Sequence, residues 1–233
     1  MSLVLIVVAL ILGAFVHRPM LGRLGGGTAQ HLLRLPGNLV HELAHAVMML
    51  LTGYTVSDLK VSLFDPAGRG HVASGPPWTR FARPWLTNLV SPVAPAFVGL
   101  GVLAGLHVWS GAPALPTSLE ALGPVAGLIP WTRWQLWVAL PLAFSVAAEM
   151  SPSDVDFRIW RAPAFVAGVL IAGAVWALQR LAPGLVQGEL LALDAVIVAT
   201  AARALTMAAA SAALVWPVAW ALTRLRTRER APT

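Results

Sequence analysis

Residues 32–51 read LLRLPGNLVHELAHAVMMLL and contain the stretch His41-Glu42-Leu43-Ala44-His45. The run is mostly apolar and has about 20 residues, the length of a helix that crosses a bilayer. On a helix, the H-E-x-x-H pattern places two imidazoles one turn apart on one face. Both can bind one zinc ion, and the glutamate can act as a general base on water. Only about 0.003 chance matches to this pattern are expected at this His and Glu content. Ionisable side chains are costly at membrane depth, so the pattern predicts a functional site.

The composition predicts an integral membrane protein. Hydrophobic residues make up 58% of the 233 residues and charged residues only 11%, whereas a soluble domain has about 25% charged residues. The net charge of +6 would suggest nucleic-acid binding in a soluble protein. In this apolar chain we interpret the Arg residues as loop charges that set the topology, and we expect no nucleic-acid partner. Cysteine is absent, so a zinc site here must use His and carboxylate ligands.

Apolar segments long enough to be membrane helices recur along the whole chain. They are 2–16, 32–51, 85–109, 128–148, 163–181 and a last one within 191–222. Arg203 interrupts the last segment, so we place its span at 204–222. No basic residue precedes the first segment, which favours a membrane helix over a cleaved signal peptide. The sequence therefore predicts an all-α polytopic membrane protein of about six transmembrane helices. We expect a single membrane domain over 1–233, with additional C-terminal membrane helices in 163–222.

A different pattern follows the HELAH segment. Polar and apolar side chains alternate over 54–63, a turn signal of Asp, Pro and Gly residues covers 65–70, and 71–73 can form a returning strand. We therefore predict a small β-hairpin at 54–74. An open sheet edge cannot face lipid, so the hairpin should lie at the membrane interface or be covered by helices.

The distribution of Lys and Arg predicts an orientation. If all six segments cross, the loops 54–84 and 149–162 share one side with the C-terminal tail, and these regions hold most of the basic residues. Cytoplasmic loops carry the excess of Lys and Arg, although three Arg residues before the second segment run against this count. We expect an integral protein of a cell (inner) membrane with a cytoplasmic C-terminus.

The two histidines leave the zinc site incomplete, because catalytic zinc uses three protein ligands and one open position. The stretch 151–156 reads SPSDVD and follows the fourth apolar segment. A helix end broken by proline can turn a carboxylate back toward a bundle interior. We favour Asp154 as the third ligand, with Asp156 and Glu149 as alternatives. A helix-capping role for Asp154 stays open, since Ser-x-x-Asp patterns are common at helix starts.

HELAH on a membrane helix, a hairpin directly after it and a Pro-Asp element about a hundred residues later resemble the site-two-protease-type intramembrane zinc metalloproteases. The resemblance covers residues 32–160 and implies that they form a metalloprotease core. It implies one zinc ion bound by His41, His45 and Asp154, with Glu42 as the catalytic base. The family's second element usually contains an Asn, whose place Ser145 takes here, and a Gly after the Asp that is missing here. The chain is therefore closer to a divergent branch of the family.

Two further residues are candidates for substrate binding. Asn88 is a polar residue within the third apolar segment, and it could bind a substrate backbone or stabilise an oxyanion. His71 follows the Gly-rich turn near the site, although a surface role on the hairpin is the commoner one for such a residue. The free strand edges of the hairpin could hold an unwound substrate by β-augmentation.

The resemblance implies an enzyme that hydrolyses peptide bonds in a membrane protein or membrane-associated peptide. An alternative is a catalytically inactive membrane scaffold or regulator of the same fold. A less favoured alternative is a small membrane transporter that uses the same His and acidic groups. The intact Glu42 favours the enzyme over the scaffold, because a scaffold needs no base between two ligands.

Overall fold

The computed structural model describes most of the chain outside the N-terminal segment and a few internal stretches. The described residues are 16–23, 28–61, 70–80, 82–113, 129–150, 153, 155–156, 158–159, 162–163 and 183–229. The first predicted span, 2–16, and the fifth, 163–181, lie almost entirely outside them.

The described chain is mostly helical, with one two-stranded antiparallel sheet. In chain order the elements are α1 (Arg18–Arg23), α2 (Thr28–Leu51), β1 (Tyr54–Lys60), β2 (His71–Pro77), α3 (Pro84–Val90), a 3-10 turn (Ser91–Val93), α4 (Ala94–Ser110), α5 (Trp134–Glu149) and α6 (Pro183–Glu229). The predicted helical fold with one small hairpin is confirmed at this level.

The core lies where α2, α4, α5 and α6 pack together. Its buried residues come mainly from α4, α5 and α6, and small alanines alternate with leucines and methionines: Leu100, Leu103, Leu136, Ala139, Leu140, Ala143, Ala147, Ala204, Met207 and Ala208. Small residues let helix backbones approach closely, as they do in membrane bundles. One such close approach is at Gly37 of α2, where a Cβ atom would overlap the backbone carbonyl of Ser145 on α5.

The hairpin follows α2 after a tight turn at Gly53, whose positive φ of 92° suits glycine. The Trp78 N–H donates to the Gly53 carbonyl at 3.0 Å and so closes the base of the hairpin. Strands β1 and β2 pair from Tyr54 opposite Pro77 to Lys60 opposite His71. The predicted hairpin is confirmed, although the second strand continues to Pro77. The predicted turn lies outside the described residues, except for its last residue, Gly70.

Two helical stretches in the described part of the chain are long and apolar enough to cross a membrane. They are Pro84–Ser110 and Ala195–Ala221. The first matches the third predicted segment and contains the 3-10 turn, where Pro92 has no N–H to donate to a helix. The predicted count of six membrane helices is not supported: the described part of the chain contains two helical stretches of this kind. Helix α5, in the fourth predicted segment, has only 16 residues.

The C-terminal helix differs from the sequence expectation. We predicted that Arg203 interrupts the last apolar segment and that the span begins at 204. Instead, α6 runs without a break from Pro183 to Glu229, and the membrane-length stretch Ala195–Ala221 continues through Arg203. A single Arg side chain does not stop a helix, because its long aliphatic stem can follow the helix surface while the charge reaches a polar group.

Candidate metal centre

Helix α2 brings the two motif histidines together. Residues four apart are neighbours on one face of a helix, and the Nε2 atoms of His41 and His45 are 3.1 Å apart. Both rings are largely shielded from solvent, with 13% and 9% of their side-chain surfaces exposed. The helical spacing thus delivers two imidazole nitrogens to one point.

Asp156 supplies a carboxylate at the same point. Its Oδ1 lies 3.5 Å from the Nε2 of His45, and its Oδ2 lies 3.8 Å from the Nε2 of His41. Two donors on one tetrahedral zinc ion are about 3.3–3.5 Å apart, given bonds of about 2.0–2.2 Å. Among the residues that the structure describes, His41, His45 and Asp156 form a group that could hold a metal ion. We call it the His–Asp cluster.

The ring orientation of each histidine is set by a second contact. The Nδ1–H of His41 donates to the main-chain carbonyl of Glu149 at 2.6 Å, and the hydroxyl of Ser91 lies 3.3 Å from the Nδ1 of His45. Because a carbonyl can only accept, the neutral His41 ring must carry its proton on Nδ1. Its Nε2 lone pair then points into the cluster, as in metal-bound histidines whose other nitrogen is held by a carbonyl.

The donor set therefore fits a cation. A nitrogen lone pair of His41 faces a second imidazole nitrogen and a carboxylate at short range. A divalent ion placed between these three groups would accept an electron pair from each of them. Two imidazoles and one carboxylate are a common set for catalytic zinc, and they leave a fourth position open.

Asp156 is fixed by a local capping arrangement. The Ser153 N–H donates to its Oδ2 at 2.8 Å, and its own N–H donates to the Ser153 hydroxyl at 3.2 Å. Burial raises the pKa of the Asp156 carboxyl, but hydrogen bonds from His45 and Ser153 outweigh burial and lower its pKa to about 2. The carboxylate is therefore ionised at neutral pH, the form that binds metal.

The structure describes two of the three predicted carboxylates. Asp154, the favoured third ligand, lies outside the described residues. Asp156, an alternative, is the carboxylate that the structure places against both histidines. The other alternative, Glu149, is not in the cluster, because its carboxylate forms an ion pair with Arg34 at 2.6 Å. Glu149 contacts the site through its main-chain oxygen instead.

The candidate base, Glu42, is buried beside the cluster, with 5% of its surface exposed. The start of β2 passes directly over it. At Gly70 a Cβ atom would overlap the Glu42 carboxylate, so the hairpin backbone can approach this closely only without a side chain. The hairpin backbone therefore lies against the side of the cluster that holds Glu42.

The two predicted substrate-binding residues lie in exposed positions. The Nε2 of His71 is 2.7 Å from the Oδ2 of Asp58 across the hairpin, and about half of each side chain is exposed. Asn88 lies on α3 and is exposed. The structure describes no contact of Asn88 with the His–Asp cluster, and its role stays a prediction.

Three residues near the cluster were not predicted to take part in the site. Ser91 contacts His45, Arg34 binds Glu149, and the buried Ser145 hydroxyl accepts the Gly37 N–H at 2.8 Å. A signal existed for Arg34, since a charge within an apolar segment needs a partner. The place of Ser145 in the second motif drew attention to it, but its partner is a backbone group of α2.

Comparisons with models of protein families, with curated proteins and with solved structures found no match to this chain. The geometry of the site and the sequence motifs therefore carry the functional conclusion.

Proposed function

We propose that this protein is a zinc-dependent intramembrane endopeptidase of the site-two-protease type, from a divergent branch of that group. The observation that carries the proposal is the convergence of His41, His45 and Asp156 beside the buried Glu42. We assign one zinc ion to the first three residues, with Asp156 as the third ligand. The substrate is a membrane-spanning or membrane-associated protein or peptide.

The exposure pattern of α2 supports a membrane setting. Its polar residues Asn38, Glu42 and His45 are buried, while its apolar residues Leu39, Leu43, Val47 and Leu50 are 42–50% exposed. A helix at the surface of a soluble protein shows the reverse pattern, with its apolar stripe facing the core. Polar groups that face the bundle interior while leucines face outward are typical of a helix in lipid. We infer that α2 is membrane-embedded as well, although its polar centre makes it less apolar than Pro84–Ser110 and Ala195–Ala221.

The aromatic residues fit the same setting. Exposed tryptophans lie near the ends of the apolar helices: Trp78, Trp85, Trp109, Trp131, Trp134, Trp216 and Trp220. Tryptophan is enriched where a membrane protein meets the headgroups. Together with the basic C-terminal tail, this supports an integral protein of a cell (inner) membrane with its C-terminus in the cytoplasm.

The chemistry of this proposal follows from the His–Asp cluster and the neighbouring Glu42. Zinc, when bound, polarises a carbonyl and lowers the pKa of water to about 7. Glu42 takes a proton from the attacking water and passes it to the leaving amine. His41 and His45 stay in their metal-binding orientations because Glu149 and Ser91 hold their second nitrogens. Burial among apolar helices limits how much water can reach the site.

A transmembrane substrate must unwind locally, because the amides of a helix are hydrogen-bonded within it. The outer edges of β1 and β2 offer backbone donors and acceptors to an extended segment. Gly70, at the start of β2, lies against Glu42. A substrate strand added to the sheet would therefore run toward the His–Asp cluster. Asn88 and His71 remain the candidate side chains for substrate contact.

The test begins with the metal. The chain purified in detergent should contain one zinc ion, and His45→Ala should lose it. Absence of zinc from the folded parent, with none bound on addition, would overturn the proposal and remove the inactive scaffold of the same fold as well.

Activity then separates enzyme from scaffold. Glu42→Gln should keep the zinc and lower the cleavage of a model membrane substrate by about 10²–10⁴-fold, the usual contribution of a general base. Glu229→Gln makes the same chemical change at the C-terminal end of α6; it is the control and should keep most of the activity. Equal cleavage by the parent and Glu42→Gln would contradict the assigned role.

A further inference from the structure

Glu149 contacts α2 at two places. Its carboxylate accepts a hydrogen bond from the Nε–H of Arg34 at 2.6 Å, and its main-chain oxygen accepts the Nδ1–H of His41 at 2.6 Å. Arg34 and His41 are seven residues apart, so they lie on one face of α2, two turns from each other. One residue of α5 thus links an arginine to a metal-binding histidine.

The main-chain oxygen of Glu149 is available because α5 ends there. The last carbonyls of a helix have no intrahelical partner, and they carry the negative end of the helix dipole. The Glu149 carbonyl is therefore a strong acceptor for an imidazole N–H. Its direction depends on how the end of α5 sits against α2.

The ion pair fixes that end. The Glu149 side chain is only 9% exposed and that of Arg34 is 24% exposed, so each charge needs the other. Between the two contacts lies the close approach of Gly37 to Ser145. Helix α2 therefore contacts α5 at three positions along one face, Arg34, Gly37 and His41.

We propose that Arg34 is a positioning residue for the metal centre, which acts through Glu149 on the orientation of His41. The inference rests on the proposed zinc site and deepens it. Arg34 touches neither metal nor substrate. Its ion pair holds the Glu149 carbonyl at the place where it fixes the tautomer and ring plane of His41. Outer contacts of this kind set metal affinity by about 10–100-fold.

The competing explanation is that the pair only neutralises two charges within an apolar bundle. The double variant Arg34→Met/Glu149→Met distinguishes positioning of His41 from simple charge neutralisation. It removes both charges and keeps the main-chain carbonyl at 149. Zinc affinity is measured by chelator competition on the full chain in detergent, and thermal stability is measured on the metal-free protein. The visible spectrum of the cobalt-loaded protein reports the ligand geometry.

We expect the double variant to bind zinc about 10–100-fold more weakly than the parent, with an altered cobalt spectrum and little loss of metal-free stability. Arg34→Lys retains the charge without the guanidinium geometry. Its affinity for zinc should lie between those of the double variant and the parent. Asp58→Asn breaks a different ion pair, on the hairpin, and should bind zinc as the parent does.

Zinc affinities within about twofold of the parent in the folded double variant and in Arg34→Lys would overturn the inference. If the double variant does not fold, Arg34→Lys decides: parent-like affinity and cobalt spectrum overturn the inference, and a weakened, spectrally shifted site supports it. Zinc binding by the parent is measured in the same series. Failure of the parent to bind refutes the proposed metal site itself, which is a separate outcome.

Discussion

Replacing Asp156 by Asn should remove zinc from the protein while leaving its fold in place. The change keeps the size of the side chain, and an amide oxygen can still accept the Ser153 N–H that now bonds to Oδ2 at 2.8 Å. It removes the negative charge that lies 3.5 Å from the Nε2 of His45. Asp154→Asn is the matched control, since it makes the same chemical change two residues away.

The expected loss can be worked out from the number of ligands. Four-ligand structural zinc sites bind with about 10–16 kcal/mol, which is about 2.5–4 kcal/mol for each ligand. At about 1.4 kcal/mol for each factor of ten, losing one ligand weakens binding by about 10²–10³-fold. Asp156 is the only carboxylate that the described part of the chain groups with His41 and His45 as a possible metal ligand. Substitution of Asp156 alone should therefore cause this full loss of zinc affinity.

The assay is competition for zinc between the purified chain and a chelator of known affinity, with thermal unfolding of the metal-free protein as the check on folding. Asp156→Asn should bind about 10²–10³-fold more weakly, and Asp154→Asn should bind like the parent. Retention of zinc by Asp156→Asn together with its loss in Asp154→Asn would refute the assignment of the third ligand and restore the sequence prediction.

Three further substitutions test the contacts around the site. Gly70→Ala introduces a Cβ atom that overlaps the Glu42 carboxylate; it should cost up to about 10²-fold in cleavage rate by displacing the base, with zinc affinity kept, and unchanged cleavage would show that the hairpin does not confine Glu42. Gly37→Ala places a Cβ atom against the backbone carbonyl of Ser145; thermal or denaturant unfolding should show a loss of about 1–3 kcal/mol, and parent-like stability would contradict the close helix contact. Leu43→Asp puts a charge on the exposed face of α2 at an expected cost of about 2.5–3.5 kcal/mol for insertion, so less protein should resist alkaline extraction from membranes; equal resistance would mean that this face does not contact lipid.

Periodic patterns made the local elements predictable. The alternation over 54–63 predicted a strand, and β1 covers Tyr54–Lys60. The apolar run 85–109 predicted the helical stretch Pro84–Ser110 to within one residue at each end. Such patterns depend only on residues that are close in sequence, so they predict an element without knowledge of the fold. Arg203 shows the limit, because one charge in an apolar run does not say whether the helix stops or continues through it.

Glu149 shows a second limit. Its position at the end of an apolar segment made it an alternative metal ligand, and it does contact the site. Whether it does so through its carboxylate or its main-chain oxygen depends on Arg34, which lies 115 residues away in sequence and takes the carboxylate. No local pattern records that pairing.

The sequence by itself determined that His41 and His45 share one helical face with Glu42 beside them, because residues four apart on a helix are always neighbours. It also determined that any zinc site would use His and carboxylate ligands, since the chain has no cysteine. Only the tertiary structure decided that the Asp156 carboxylate approaches the two histidines. Its oxygens lie 3.5 and 3.8 Å from imidazole nitrogens of α2, which precedes Asp156 by more than a hundred residues. That approach depends on long-range packing of the chain, which no residue spacing encodes.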